Sequence, residues 1–296
     1  MTLLQVRHET VYRYAGPVQF GEHRLLVRPR DSMEQTLESF ALRITPEPVG
    51  VRWIHDVFGN CIALARFDRA ADELRILASM VLDHAPESSP DFEIEPRAKH
   101  YPFDYDGTDA VDLGPTSQRQ FPEETEVDRW AQRFVDPRGS TNTGHLLMTM
   151  TYAIKEGFSY VRRTQPGTQR PSVTLSSRRG TCRDFALLMM EAVRSLGFAA
   201  RFVSGYLYSP DRDGNHRGGG ATHAWCQVFL PGAGWVEFDP TNGIIGTRDL
   251  IRVGVAREPG QAIPISGTFT GVAGDYLGMD VEVSVDRVRS VQDSMG

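Results

Sequence analysis

The stretch Gly180-Thr-Cys-Arg-Asp-Phe-Ala-Leu-Leu-Met-Met-Glu-Ala-Val-Arg-Ser-Leu-Gly197 decides how this chain is read. Thr181 followed three residues later by Asp184 is a capping-box-like helix start. Phe185, Leu188, Met189, Ala192 and Leu196 then recur at helical spacing, and Gly197 supplies the stop. Cys182 therefore falls on the first helical residue. There, unpaired backbone N–H groups and the positive end of the helix dipole favour a sulfur anion. The Cys182 N–H is itself a suitable oxyanion donor. Gly180 leaves room for a substrate to approach, and Arg178, Arg179 and Arg183 make the surroundings electropositive. A free cysteine also packs as a small hydrophobe, so its partners must decide.

Those partners lie downstream. Thr222-His-Ala-Trp-Cys-Gln-Val-Phe-Leu230 alternates as a strand, Pro231-Gly-Ala-Gly234 turns, and Trp235-Val-Glu-Phe-Asp239 returns before Pro240. His223 opens one arm of this hairpin and Asp239 closes the other, so both sit at the end away from the turn. A four-residue loop would pair Cys226 with Asp239 and put the carboxylate on the wrong face. A three-residue turn pairs Trp225 with Asp239 and leaves His223 as its same-face diagonal neighbour. The odd-numbered turn, or a bulge with the same effect, is expected. A nucleophile, a base and an orienting carboxylate would then meet. None of the seven other histidines has such a neighbourhood.

Outward from this centre the chain divides. Residues 1 to about 85 alternate with period two, as in Phe40/Leu42/Ile44 and Leu74/Ile76/Ala78/Met80/Leu82, with turns at Gly16-Pro17, Pro46-Glu47-Pro48 and Gly59-Asn60. This predicts an antiparallel, sandwich-like β domain. From Ala85 to about Gln120 five prolines among acidic residues suggest a connecting segment. Helical spacing follows at Val127/Trp130/Ala131/Phe134 and Leu147/Met150/Thr151/Ile154, closed by Pro137 and Gly157. The expected organisation is α+β: a β-rich domain with its connector over 1–120, and a core with a C-terminal β extension over 121–296. Alternating Met279/Val281/Val283/Val285 should add a strand to one of the sheets.

Composition sets bounds. The chain has 296 residues, 40% hydrophobic and 24% charged, with a formal charge of −6. That balance is ordinary for a soluble domain and gives no electrostatic reason to expect nucleic acid. No apolar run approaches a membrane span, and the N-terminus reads as a strand and not as a secretory signal. Three cysteines without paired spacing fit a reducing compartment, so a cytoplasmic location is expected. Cys61 and Cys226 read as packed and inert. Asp211, Asp213 and Asn215 fail the calcium-loop pattern, because the glycine falls one place early and the closing glutamate is missing. The glycine-rich segment 208–222 before His223 reads as a mobile surface connection or a lid over a cleft.

The strings Gly180-Thr-Cys-Arg-Asp-Phe-Ala186, Phe198-Ala-Ala-Arg-Phe-Val-Ser-Gly-Tyr206, Thr222-His-Ala-Trp225 and Trp235-Val-Glu-Phe-Asp-Pro-Thr241 resemble the transglutaminase-like superfamily. The bacterial transglutaminase-like cysteine protease branch is the nearer likeness. The order Cys, His, Asp and the spacings of 41 and 16 residues are similar to the family core over about 145–245. His8-Glu-Thr-Val-Tyr-Arg-Tyr14 and Asp56-Val-Phe-Gly-Asn60 look like the β domain that precedes that core. The resemblance implies a papain-like α+β core with no metal or organic cofactor. Cys182 would be nucleophile, His223 base and Asp239 orienter, with Trp225 and Tyr160 as candidates for the second oxyanion donor or the cleft. It implies thioester chemistry on a peptide, protein or small amide, hydrolytic before cross-linking. Arylamine N-acetyltransferase-like acyl transfer, a silent peptide-binding scaffold and a Cys182/His223/Cys226 metal site compete with it. Exposed strand edges make a homodimer reasonable.

Overall fold

Alternating side chains build the N-terminal part. In β1 (Thr2–Phe20) Leu4, Val6, His8 and Thr10 turn inward while Arg7 and Arg13 face out. Next come β2 (His23–Arg28), β3 (Gln35–Thr45), β4 (Gly50–His55), β5 (Cys61–Arg66) and β6 (Ala70–His84). β1 pairs antiparallel with β6, matching Leu4 to Leu82 and Val6 to Met80, and β6 pairs with β3. β2, β5 and β4 form a second antiparallel sheet. Leu4, Val6, Leu74 and Ile76 from the first sheet and Leu25, Val27 and Ile62 from the second share one core, which makes the expected sandwich. The computed structural model describes residues 2–86, 93–163, 167–209, 220–272 and 274–289.

Five α-helices follow among the described residues: α1 (Gly107–Ser117), α2 (Thr125–Gln132), α3 (Thr143–Gly157), α4 (Pro171–Ser177) and α5 (Cys182–Ser195). The second, third and fifth stand where spacing put them. α1 lies inside the segment read as a connector. Asp106 accepts the Asp109 N–H as its cap, but only Leu113 of the helix is buried, so no apolar stripe announced it. Pro115 in its last turn also argued against a helix.

The second half forms one antiparallel sheet from β7 (Ala200–Leu207), β8 (His223–Leu230), β9 (Gly234–Asp239) and β10 (Leu250–Ala256). Its order is the short strand Ile244–Ile245, then β9, β8, β7 and β10. α5 packs on this sheet and is more enclosed than one stripe implies: every residue from Asp184 to Arg194 is buried. The buried charges on it are engaged. Glu191 accepts the Gln120 and Phe121 N–H groups, and Arg194 donates to the Thr116, Ala200 and Arg257 carbonyls.

Two side-chain amides join the halves. Gln35 donates to the Arg252 carbonyl and accepts the Arg252 N–H, and Asn60 does the same with Val255. Both occupy the outer edge of β10, where unpaired backbone groups would invite foreign strands. His8 bonds Tyr206 of β7 at 3.0 Å and Thr10 at 3.1 Å, so the two polar side chains in the buried row of β1 are satisfied. The C-terminal strand β11 (Tyr276–Arg287) pairs antiparallel with β1, and Ile265–Ser266 pairs with β2. The chain end thus returns to both N-terminal sheets. Among the described residues no helix is long and apolar enough to cross a membrane.

Candidate active site

Helix α5 begins as its sequence dictates. Asp184 N–H donates to Thr181 Oγ1, and Thr181 N–H donates to Asp184 Oδ2 at 2.9 Å, a complete capping box. Asp184 Oδ1 also accepts Gln169 N–H and Arg163 Nη2, which pins the preceding loop to the helix start. At the far end Gly197 adopts φ +90°. The Gly197 and Phe198 N–H groups close on the Arg194 and Val193 carbonyls, a full Schellman motif. Cys182 is the first helical residue. Gly180 does permit a close approach, but of the protein and not of a substrate. An added Cβ there would lie 2.9 Å from Asp184 and 3.1 Å from Phe185.

The hairpin supplies the other two groups. Leu230 pairs with Gly234 and Cys226 with Phe238, so the turn holds three residues and the register is the one that brings His223 and Asp239 to the same face. His223 Nε2 lies 2.8 Å from Asp239 Oδ2. An ionised carboxylate only accepts, so Nε2 carries the proton. Asp239 also accepts Thr241 N–H at 2.8 Å and Asn242 Nδ2 at 2.9 Å. Burial opposes its charge, yet these donors and the imidazole hold its pKa below the ordinary value.

Burial would likewise push the His223 ring down. The adjacent Asp239 carboxylate and its hydrogen bond, with Cys182 as hydrogen-bonding and charged neighbour, lift it to about 10. The sulfur is thus close to the ring, although no hydrogen bond of good geometry yet links it to Nδ1, the nitrogen that Asp239 leaves free. His223 is 1% and Asp239 0% exposed, against 6% for Cys182, so the trio opens to solvent at its sulfur end. Three stretches far apart in sequence meet in one place.

Tyr160 and Trp225 fare differently. Tyr160 pairs in parallel with Gly180, two residues before Cys182. Burial and the neighbouring Cys182 raise its phenol to about 12, so it stays a neutral O–H donor. Trp225 is fully buried, and its only donor, Nε1–H, is spent on Glu237 Oε2 at 2.5 Å. Its ring leans on the His223 ring at 5.9 Å, so it backs the imidazole and offers nothing to an oxyanion. Arg183 donates to the Pro259 carbonyl and stacks over Phe202, a cation held next to the helix start. Cys226 is buried with its thiol toward the Phe238 carbonyl, and Cys61 is buried near His55. Residues 210–219 lie outside the described residues, and with them most of the segment read as a lid and the rejected calcium loop.

Sequence reasoning missed Asn242 and Glu237. Asn242 follows Asp239 by three residues and could have been suspected from that spacing alone. Glu237 looked like one more polar strand residue, whereas it is buried and gathers Trp225, Gln227 and Arg252 around its carboxylate.

A helix-borne cysteine packed on an antiparallel sheet that carries histidine and aspartate defines the transglutaminase-like class of α+β proteins. Residues 129–240 match the model of the transglutaminase-like superfamily, and residues 4–83 match that of the bacterial transglutaminase-like N-terminal region. The chain thus carries a transglutaminase-like core behind a bacterial transglutaminase-like N-terminal region. Its relatives include an uncharacterised protein of Mycobacterium tuberculosis, 28% identical over 94% of this chain and 91% of its own length. Another, from Mycobacterium leprae, is 27% identical over 96% and 99%. A crystal structure from Cytophaga hutchinsonii, provisionally called a cysteine protease, shares the fold with a TM-score of 0.70 at 18% identity. That match covers 98% of this chain and 91% of the other.

Proposed function

We propose that this protein is a cysteine-dependent acyl-transfer enzyme acting on amide or peptide bonds through a thioester, with water as the usual acceptor. The observation that carries the reading is the ring of His223. Asp239 anchors it through Nε2, and its free Nδ1 is left near a cysteine at a helix N-terminus. The provisional cysteine-protease name of the Cytophaga hutchinsonii protein is in keeping with it.

In the reaction, sulfur attacks the carbonyl carbon as a thiolate while His223 holds the proton on Nδ1. The Cys182 N–H, at the first helical position, has no acceptor within its own helix and serves as one oxyanion donor, with the Tyr160 hydroxyl as the second. As the tetrahedral intermediate collapses, the C–N bond breaks and the amine leaves with the Nδ1 proton. Water then enters, His223 takes one of its protons, and the thioester breaks to give a carboxylic acid and the restored thiol. Asp239 keeps the ring in one tautomer and stabilises the imidazolium throughout. An amine acceptor would need a site able to outcompete water, so hydrolysis is the default. The unpaired, buried cysteines suit a reducing compartment such as the cytoplasm.

Incubation with a library of blocked and glutamine-containing peptides tests this, with ammonia and new amines as readouts. Turnover should vanish in Cys182→Ala while the melting temperature stays within about 2 °C, since one buried thiol atom is removed. Undiminished activity in that variant refutes the proposal.

A further inference from the structure

We propose that a cavity between the N-terminal sandwich and the outer strands of the second sheet binds a small, multiply charged oxyanion. Arg30, Arg201 and Arg252 would hold it. The three arginines line one cavity of about 170 Å³ together with Asp31, with Phe58 on its wall. That is several times the roughly 30 Å³ a water occupies, so a phosphate-sized or dicarboxylate-sized group fits. A wider opening next to it, shared by Arg201 and Arg252 and bounded by Trp235 and Met33, leads to solvent, and Met33 is 93% exposed.

The state of each arginine points to an anion. Arg201 is fixed by stacking over Trp235 at 4.2 Å and by donating Nε–H to Gln227 Oε1. Both contacts leave its terminal nitrogens without a protein acceptor among the described residues. Burial lowers its guanidinium to about 10, below the usual arginine range, although the nearby Glu237 carboxylate supports the charge. Arg30 lies over the Gly59 turn, where φ is +74° and an added Cβ would meet its Nη1 at 2.4 Å. Among the described residues its side chain has no protein hydrogen-bond acceptor, and no carboxylate lies within 4 Å of Arg30 or Arg201. Arg252 donates to Glu237 at 2.9 Å and stands 3.9 Å from Glu34.

Asp31 also lines the cavity and Glu34 its opening, and Glu237 holds Arg252, so the guanidiniums without a carboxylate partner are those of Arg30 and Arg201. Asp31 accepts the Leu37 N–H, and Glu34 accepts the Ser32 hydroxyl. Arg30 and Arg201, whose terminal nitrogens have no protein acceptor among the described residues, match an oxyanion with several acceptor oxygens, because a guanidinium can donate two parallel N–H bonds, and Arg252 adds a third cation already held by Glu237. Phe58 packs against the buried apolar cluster that contains Val255 and Trp225, and the far side of that cluster meets the His223 ring through Trp225, which sets the site apart from the cysteine cleft.

Thermal unfolding of the full chain tests the site. Titrations with sodium phosphate and with sodium succinate are compared with sodium chloride at matched ionic strength. The melting temperature should rise saturably by several degrees with at least one dianion and stay flat with chloride. Phosphate alone would mark a tetrahedral ligand, and succinate a dicarboxylate. Arg201→Gln and Arg30→Gln should each raise the half-saturating concentration at least tenfold. Arg30 has no protein partner to lose, so Arg30→Gln folds and keeps the test sharp. Chloride-like responses to both dianions, or an unchanged midpoint in Arg30→Gln, overturn the assignment.

Discussion

Replacing Asp239 by Asn tests the proposed chemistry where the structure is most specific. The substitution keeps the size of the side chain and removes its charge. In the native protein the His223 ring rises from its ordinary 6.5 to about 10, against a burial that pushes it down. That rise corresponds to roughly 5 kcal/mol in favour of the imidazolium. Without the carboxylate, only the neighbouring Cys182 offsets burial and the ring falls toward its ordinary value. The imidazolium is then lost at lower pH than in the parent, and Asn can also hold the wrong tautomer. Up to 5 kcal/mol translates into a loss of kcat/KM on the order of a thousandfold. The alkaline limb of the rate profile should move from near 10 toward neutrality. The assay is the pH profile of peptide hydrolysis, paralleled by inactivation with iodoacetamide at each pH. An Asp239→Asn enzyme within tenfold of the parent, with its alkaline limb unmoved, would refute the reasoning.

Other outcomes follow from the same geometry. Tyr160→Phe should lower kcat by roughly 10²-fold with KM and melting temperature nearly unchanged, as loss of one oxyanion donor does; steady-state kinetics decide, and an unchanged kcat removes Tyr160 from the site. Glu237→Ala strands Arg252, Trp225 and Gln227 around an empty acceptor position and should cost about 3–5 kcal/mol in urea unfolding, while a loss under 1 kcal/mol would mean the network is dispensable. His8 is buried and neutral, its pKa lowered by burial to about 4. The unfolded chain therefore binds the extra proton between about 4 and 6.5. The His8 contribution is whole above 6.5 and fades as pH falls through that window, by up to about 3 kcal/mol. Urea midpoints across the range should drop less steeply in His8→Asn, and equal slopes in the two proteins would contradict the assignment.

Much of this protein was legible because local rules and tertiary demand agree. Thr181, Asp184 and Gly197 fix where α5 starts and stops, and backbone capping depends on neighbours only three or four residues away. Hairpin register followed from the requirement that two polar groups share a face, which period-two alternation turns into a turn length. Other features were decided in three dimensions. α1 buries one leucine, so its sequence carries no stripe. Trp225 could have served an oxyanion by its position in the strand, and only the carboxylate of Glu237 across the hairpin settles where its indole N–H goes. Whether a lone cysteine at a helix start is packing or chemistry depends on what approaches its sulfur, and that approach comes from residues 41 and 57 positions further along the chain. Sequence alone set the elements and their ends, because hydrogen bonding and periodicity are local. Charge compensation inside the molecule is long-range, so the surroundings of His223, Glu237 and the three arginines emerged only once the strands were side by side.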